Sequence, residues 1–236
     1  MPPGPSWGMA AARPFSLTEQ AQFLGALTSS RDRLLCLAGI FLGFRISELL
    51  GLKISDVWTE GQGASREVTV ATKALKGGRG INRQKVRSRT VPVHPVLQAA
   101  LQDHIQRTYA GRSPVLADFL FPSSGKGAIP ISRVQAHRII KAAARRSCDP
   151  SRISTHSLRK SFARAIYDLS GHDLLLTQRA LGHRAVDTTT KYLESTSDSV
   201  KAVILKMAGP TAILAAESAV PEPAFPDKAL LRLACR

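Results

Sequence analysis

Thr155-His156-Ser157-Leu158-Arg159-Lys160-Ser161-Phe162 is the stretch on which the reading of this chain turns. Phe162, Ile166 and Leu169 recur at three- and four-residue spacing, which predicts a helix over Thr155 to Leu169. His156 and Arg159 stand three apart and therefore share a face of that helix. An imidazole beside a permanently charged guanidinium suits phosphate chemistry. Outward from this helix the pattern stays helical. Asp173 to Leu181 reads as a shorter helix leading into Gly182-His183, and Asp187 to Leu193 and Ser199 to Met207 as two more. Upstream, Ser132 to Arg146 is a basic amphipathic helix, and Phe119 to Pro130 is loop-like. Pro95 to Ala110 is helical, with Pro95 acceptable in a first turn.

Further upstream, Arg31 to Phe44 is apolar on most faces and is expected to be central. Ile46 to Leu52 follows as a short helix and Ser55-Asp56 as a turn. Ser16-Leu17-Thr18-Glu19 has capping-box spacing and should start a helix running to about Leu27. Glu67 to Thr72 alternates with β-branched residues, and Thr90 to Val93 looks like its strand partner. The fold class is α+β, mostly α-helical, with a small antiparallel sheet.

Between the two strands, Lys73 to Arg89 holds seven basic residues and no acidic one in 17 positions. Lys73, Lys76, Arg79, Arg83, Lys85, Arg87 and Arg89 cannot form a core, so the block is a solvated hairpin or a polyanion-binding arm. Arg133 to Arg164 adds nine basic residues against Asp149. Over the 236 residues, 33 Lys+Arg against 17 Asp+Glu leave a formal charge of +16, which points to an anionic partner. The longest apolar run, Leu34 to Phe44, is 11 residues, short of the roughly 18 a membrane span needs. No signal peptide is read in Met1 to Pro14. Cys36, Cys148 and Cys235 are odd in number and far apart, which excludes a disulfide framework and a zinc ribbon. Gly77-Gly78-Arg79-Gly80 lacks the Lys-Ser/Thr ending and helix of a nucleotide-binding loop, and the histidines lack metal-ligand spacing. A cytosolic protein is the simplest expectation.

Four fragments now line up: Gly43-Phe44-Arg45-Ile46-Ser47-Glu48-Leu49, then His156 with Arg159, then Leu181-Gly182-His183, then Tyr192 nine residues on. In this order the chain resembles the tyrosine recombinase (phage integrase) family, over about Leu17 to Met207. The resemblance implies that family's catalytic-domain fold and places Arg45, His156, Arg159, His183 and Tyr192 at its active-site positions. The family also uses a hairpin lysine; Lys76, before Gly77-Gly78, is the first choice and Lys73 the second. The implied reaction is attack of Tyr192 on a DNA phosphodiester. It forms a 3′-phosphotyrosine and releases a 5′-hydroxyl, with neither metal nor ATP and no other cofactor. A phenol with a pKa of about 10 is roughly 0.1% ionised at neutral pH and needs a base, a role that suits His156. Arg45 and Arg159 would hold the non-bridging oxygens, His183 would donate there as well, and Lys76 would protonate the leaving oxygen.

Each residue also has a purely structural reading. Arg45 could pair with Glu48, His156 could simply occupy a first turn, and His183 could end a helix. Tyr109 and Tyr167 compete with Tyr192, the first read as partly exposed and the second as core. The expected division is a flexible lead over 1–14, the catalytic domain over 15–208 and a tail over 209–236. That compact layout resembles fimbrial phase-variation invertases. Arg79, Arg83, Lys85, Arg87 and Arg89 are the expected DNA contacts. The expected partners are double-stranded DNA, further copies of the chain (a tetramer on DNA, joined through the C-terminal segment) and accessory DNA-bending proteins, at a cytoplasmic, nucleoid-associated location. A relaxing enzyme like type IB topoisomerase and a non-catalytic DNA-binding module are the competing functions.

Overall fold

In the computed structural model of the chain, the described residues are 11–72, 87–123 and 128–182. The Ser16/Glu19 capping box forms as its spacing predicts. Ser16 Oγ accepts from Glu19 N, and the Glu19 carboxylate accepts from Ser16 N at 2.9 Å. The same carboxylate pairs with Arg13 at 2.6 Å, which with the backbone bond holds its pKa down at about 2. This box starts α1 (Leu17–Gly25).

Ser29 caps α2 (Ser30–Leu42), which ends at Gly43 in the left-handed conformation, φ 61°. Leu34, Leu35, Cys36, Ala38, Ile40 and Leu42 are all buried, so the helix is covered on nearly every side, as its apolar run requires. Then come α3 (Ile46–Leu50), α4 (Ile54–Val57), and a two-residue antiparallel pair, β1 (Trp58–Thr59) and β2 (Gly63–Ala64). Next are β3 (Glu67–Thr72), β4 (Arg87–Pro92), α5 (Pro95–Tyr109), α6 (Arg133–Ser147), α7 (Thr155–Leu169) and α8 (Leu174–Leu181).

The core forms around α2, which packs against α5 on one side and α7 on the other. One apolar cluster joins α2 and α3 to α5 and to Val68 and Val91 of the sheet. A second joins Phe15, Phe23 and Leu27 to Cys36, Ile140 and Leu158. The α2–α7 approach is close: a Cβ built on Gly39 would lie 2.7 Å from Leu158 Cδ1. β3 and β4 pair antiparallel, with Glu67 opposite Pro92 and Val70 opposite Arg89. Val68 and Val91 face the core, while Thr69 and Thr90 face outward with their hydroxyls 2.7 Å apart. Among the described residues no helix is long and apolar enough to cross a membrane.

Four details differ from the sequence expectation. The Ser55-Asp56 turn is the helical turn α4, closed by Asp56 accepting from Lys53 N at 2.8 Å. The β1–β2 pair was not foreseen, because two-residue strands carry no periodicity; Gly61 (φ 76°) and Gly63 (φ 86°) make its turn. β4 begins at Arg87 rather than Thr90. Residues 11–14 do not behave as a loose lead. Arg13 N donates to Arg152 O and Arg152 Nε to Ala11 O, while Phe15 N donates to Ser161 Oγ. These bonds fasten residues 11–15 to the loop before α7 and to α7 itself. The expected boundary at 208/209 and the expected helices over 187–193 and 199–207 lie outside the described residues.

Candidate active site

Helices leave their last four carbonyls without intrahelical partners, and the negative end of the helix dipole favours cations there. Two such ends, those of α2 and α8, contribute to one place in this molecule, and two arginines bind them. Arg159, on α7 and 1% exposed, donates through Nη1 to Gly43 O and through Nη2 to Leu181 O at 2.8 Å. Arg89, on β4, donates through Nη1 to Ala180 O at 3.0 Å and through Nη2 to Leu42 O at 3.2 Å. Its guanidinium lies over the Phe44 ring, 4.5 Å from the centroid, a cation–π contact. Burial lowers the Arg89 pKa to about 10, reinforced by the charges of Arg159 and Arg45 and opposed by Glu48. Arg89 stays charged at neutral pH.

Arg45 is the N-cap residue of α3. Glu48 holds it twice: the carboxylate accepts from Arg45 N at 2.7 Å and from Nη1 at 3.1 Å. The ion pair read from the sequence as a structural alternative is therefore present, and the charge of Arg45 still acts on Arg89 and His156. His156 is in the first turn of α7, its N–H donating to Ser154 Oγ. Its pKa is lowered from 6.5, first by desolvation and then by Arg159, Arg45 and Lys160. The imidazole is thus predominantly neutral at pH 7 and able to accept a proton. Arg45, Arg159 and Lys160 act together on His156, Arg45 and Arg159 also act on Arg89, and the Glu48 carboxylate pairs with Arg45 and offsets the charge at Arg89, an arrangement suited to an anion with several oxygens.

Of the residues expected in the site, Arg45, His156 and Arg159 come together in this way. Lys76, its alternative Lys73, His183 and Tyr192 lie outside the described residues, as do Arg79, Arg83 and Lys85. The backbone of Arg87 pairs with Thr72 in β4. Arg89 is a correction. Expected among the DNA contacts of the basic block, it is a strand residue whose guanidinium bonds the ends of α2 and α8. Strand alternation carried the signal, because Arg89 shares a face with Val91, which is buried. The competing tyrosines are also placed. Tyr109 donates to Asp118 at 2.9 Å, and burial with that bond raises its pKa to about 12, the opposite of an activated phenol. Tyr167 is partly exposed, not core, with its ring 4.9 Å from that of His172. In the basic stripe, Lys141 donates to Pro150 O, Arg146 to Ala26 O and Arg164 pairs with Asp168, so these serve the fold. Arg133, Arg138 and Arg145 are exposed. Among the described residues no group of three or more His, Cys, Asp or Glu could hold a metal ion.

Known proteins resemble this chain in sequence and in fold. The chain is 30% identical over 207 residues to the tyrosine recombinase XerD of Corynebacterium glutamicum, covering 84% of this chain and 62% of that protein. It is 29% identical over 174 residues to the tyrosine recombinase XerA of Pyrococcus furiosus, covering 74% and 54%. The chain thus spans between half and two thirds of the length of these relatives. Among solved structures, a XerA recombinase crystal structure superposes with a TM-score of 0.62 at 21% identity, covering 83% of this chain and 65% of that one. The Tn1549 transposon integrase, solved with transposon right end DNA, gives 0.58 at 21% identity, covering 83% and 66%. These likenesses establish the fold, that of the tyrosine recombinase catalytic domain. A family model spans residues 17–198, from the first turn of α1 past the arginine cluster, and by that match the chain belongs to the phage integrase family.

Proposed function

We propose that this protein is a site-specific DNA recombinase that cleaves and rejoins strands through a 3′-phosphotyrosine. The observation that carries this reading is the convergence of Arg45, Arg89 and Arg159 beside a neutral His156, in a chain of this family. In the proposed reaction Tyr192 Oη bonds to phosphorus while the bond to the 5′-oxygen breaks. The phenolic proton passes to His156, and Lys76, or in its place Lys73, gives a proton to the 5′-oxygen. Arg45 and Arg159 carry the charge gained by the non-bridging oxygens, and His183 donates to one of them. The phosphotyrosine conserves the ester bond, so the 5′-hydroxyl of another strand can reverse the step. Arg79, Arg83, Lys85 and Arg87 contact phosphates without reading sequence. Strand exchange needs several copies of the chain on DNA. A tetramer joined through the C-terminal segment, assisted by DNA-bending proteins in the nucleoid, is the assembly proposed.

A duplex nicked near the cleavage point traps the covalent adduct. Wild-type protein is expected to form it, and Tyr192→Phe to bind the same DNA and form none. An adduct at wild-type level in Tyr192→Phe would move the nucleophile elsewhere and overturn the assignment. A supercoiled plasmid with a single site separates recombination from relaxation, since only a relaxing enzyme removes supercoils there at full rate.

A further inference from the structure

Both terminal nitrogens of the Arg89 guanidinium are bonded to backbone carbonyls and its face lies on Phe44. Its two carbonyl partners, Leu42 O and Ala180 O, are each the chain neighbour of a carbonyl bound by Arg159, Gly43 O and Leu181 O. The two guanidinium groups therefore bridge the same two helix ends through neighbouring carbonyls. The rest of the Arg89 side chain runs along Gly182, where a built Cβ would stand 3.0 Å from Arg89 Cδ. Burying a second like charge beside Arg159 is unfavourable in itself, as the lowered Arg89 pKa records. Three features offset it: the carbonyl pair, the Phe44 face and the field of Glu48. Lysine carries a single ammonium, so it cannot bridge two carbonyls in a plane while stacking on a ring.

We propose that Arg89 is a positioning residue for Arg159: it fixes the ends of α2 and α8 relative to each other and so sets the plane of the Arg159 guanidinium. This inference rests on the reaction proposed above for its effect on rate, but not for its effect on structure. A misplacement of about 1 Å in a reacting group lowers rates by about 100-fold. The effect of Arg89 should therefore appear in the chemical step and not in DNA affinity.

The test compares Arg89→Lys and Arg89→Met with wild type in two measurements. Hydrogen–deuterium exchange without DNA reads the amides of residues 180–182. Both variants should exchange about tenfold faster there, while Arg107→Met, a surface control, should leave them unchanged. Single-turnover adduct formation at saturating DNA is then measured beside the DNA dissociation constant, in a cycle with Arg159→Lys. Arg89→Lys should slow adduct formation about 10- to 100-fold with little change in affinity. In the Arg159→Lys background the same change should cost at most about twofold, since the two side chains act as one unit. Unchanged exchange at residues 180–182 overturns the inference whether or not DNA is cut. A normal rate overturns it too, as does a loss confined to affinity or two losses that simply multiply. A wild type that forms no adduct sinks the proposed function alone, and the exchange result still decides the role of Arg89. Should Arg89→Met fail to fold, Arg89→Lys carries both measurements.

Discussion

A histidine whose pKa is lowered by partial burial and then by cationic neighbours leaves a mark on the pH profile. His156 takes its lowered pKa from partial desolvation first and then from Arg159, Arg45 and Lys160. Protonation adds a positive charge to a positive cluster, so the neutral form persists below the usual value of 6.5. If His156 accepts the tyrosine proton, cleavage falls when the imidazole becomes charged. Measured at subsaturating DNA, where the free protein's ionisations govern the rate, cleavage should stay level through pH 7. Its acid limb should have a midpoint below 6.5. Arg45→Met removes one of the lowering charges, so its slower cleavage should show an acid limb shifted upward. An unmoved limb would assign the proton to another group.

At the scale of elements, the proposed function gives the cations of the β3–β4 hairpin two tasks. Arg89 enters the arginine cluster through β4, whereas Arg79, Arg83, Lys85 and Arg87 precede it in the sequence. Replacing these four with Gln should weaken binding to specific and random DNA alike. It should also flatten log affinity against log salt, by up to about 0.9 for each phosphate no longer neutralised. A slope that does not change would mean that the arm reads bases or meets another subunit. The main helices were legible in the sequence because their signals are local. The Ser16/Glu19 box, the apolar run of α2, Pro95 and the spacing of α7 each act within a few residues. Arg45, His156 and Arg159 were legible as a set through their motifs. The placing of Arg89 was missed because its partners, Leu42 and Ala180, are far away in sequence, and because a run of seven cations hides the alternation of a strand. The role of residues 11–14 was missed for a related reason. Prolines and glycines mark irregular backbone, and irregular backbone can still be fixed by hydrogen bonds such as Arg13 N to Arg152 O.

At the scale of the whole molecule, the formal charge is +16, and the cluster of Arg45, Arg89 and Arg159, where Glu48 pairs with Arg45, suits an oxyanion. An anion that binds only the folded state stabilises it, by roughly 1.4 kcal/mol at ten times its dissociation constant. Sulfate should therefore raise the melting midpoint more than chloride at matched ionic strength. Part of that effect is the general exclusion of sulfate from protein surfaces, and this part should survive in Arg45→Gln. The excess seen in wild type over Arg45→Gln reports binding at the site, and equal shifts in the two proteins would mean that the cluster holds no anion.

Gly43 has a consequence for how sequences of this kind can vary. The residue combines a left-handed backbone with a neighbour that leaves no space: any Cβ there would stand 2.6 Å from Phe162 Cγ. A library of substitutions at Gly43, sorted once for DNA capture and once for strand cleavage, should be empty in both pools, since every change disturbs the α2–α7 seam before chemistry begins. At Arg89 the two pools should part, with substitutions surviving the first selection and not the second. The two positions, one side chain apart in space, would then be indistinguishable to a screen for activity and opposite to a screen for folding. That contrast separates what the chain needs in order to exist from what it needs in order to react.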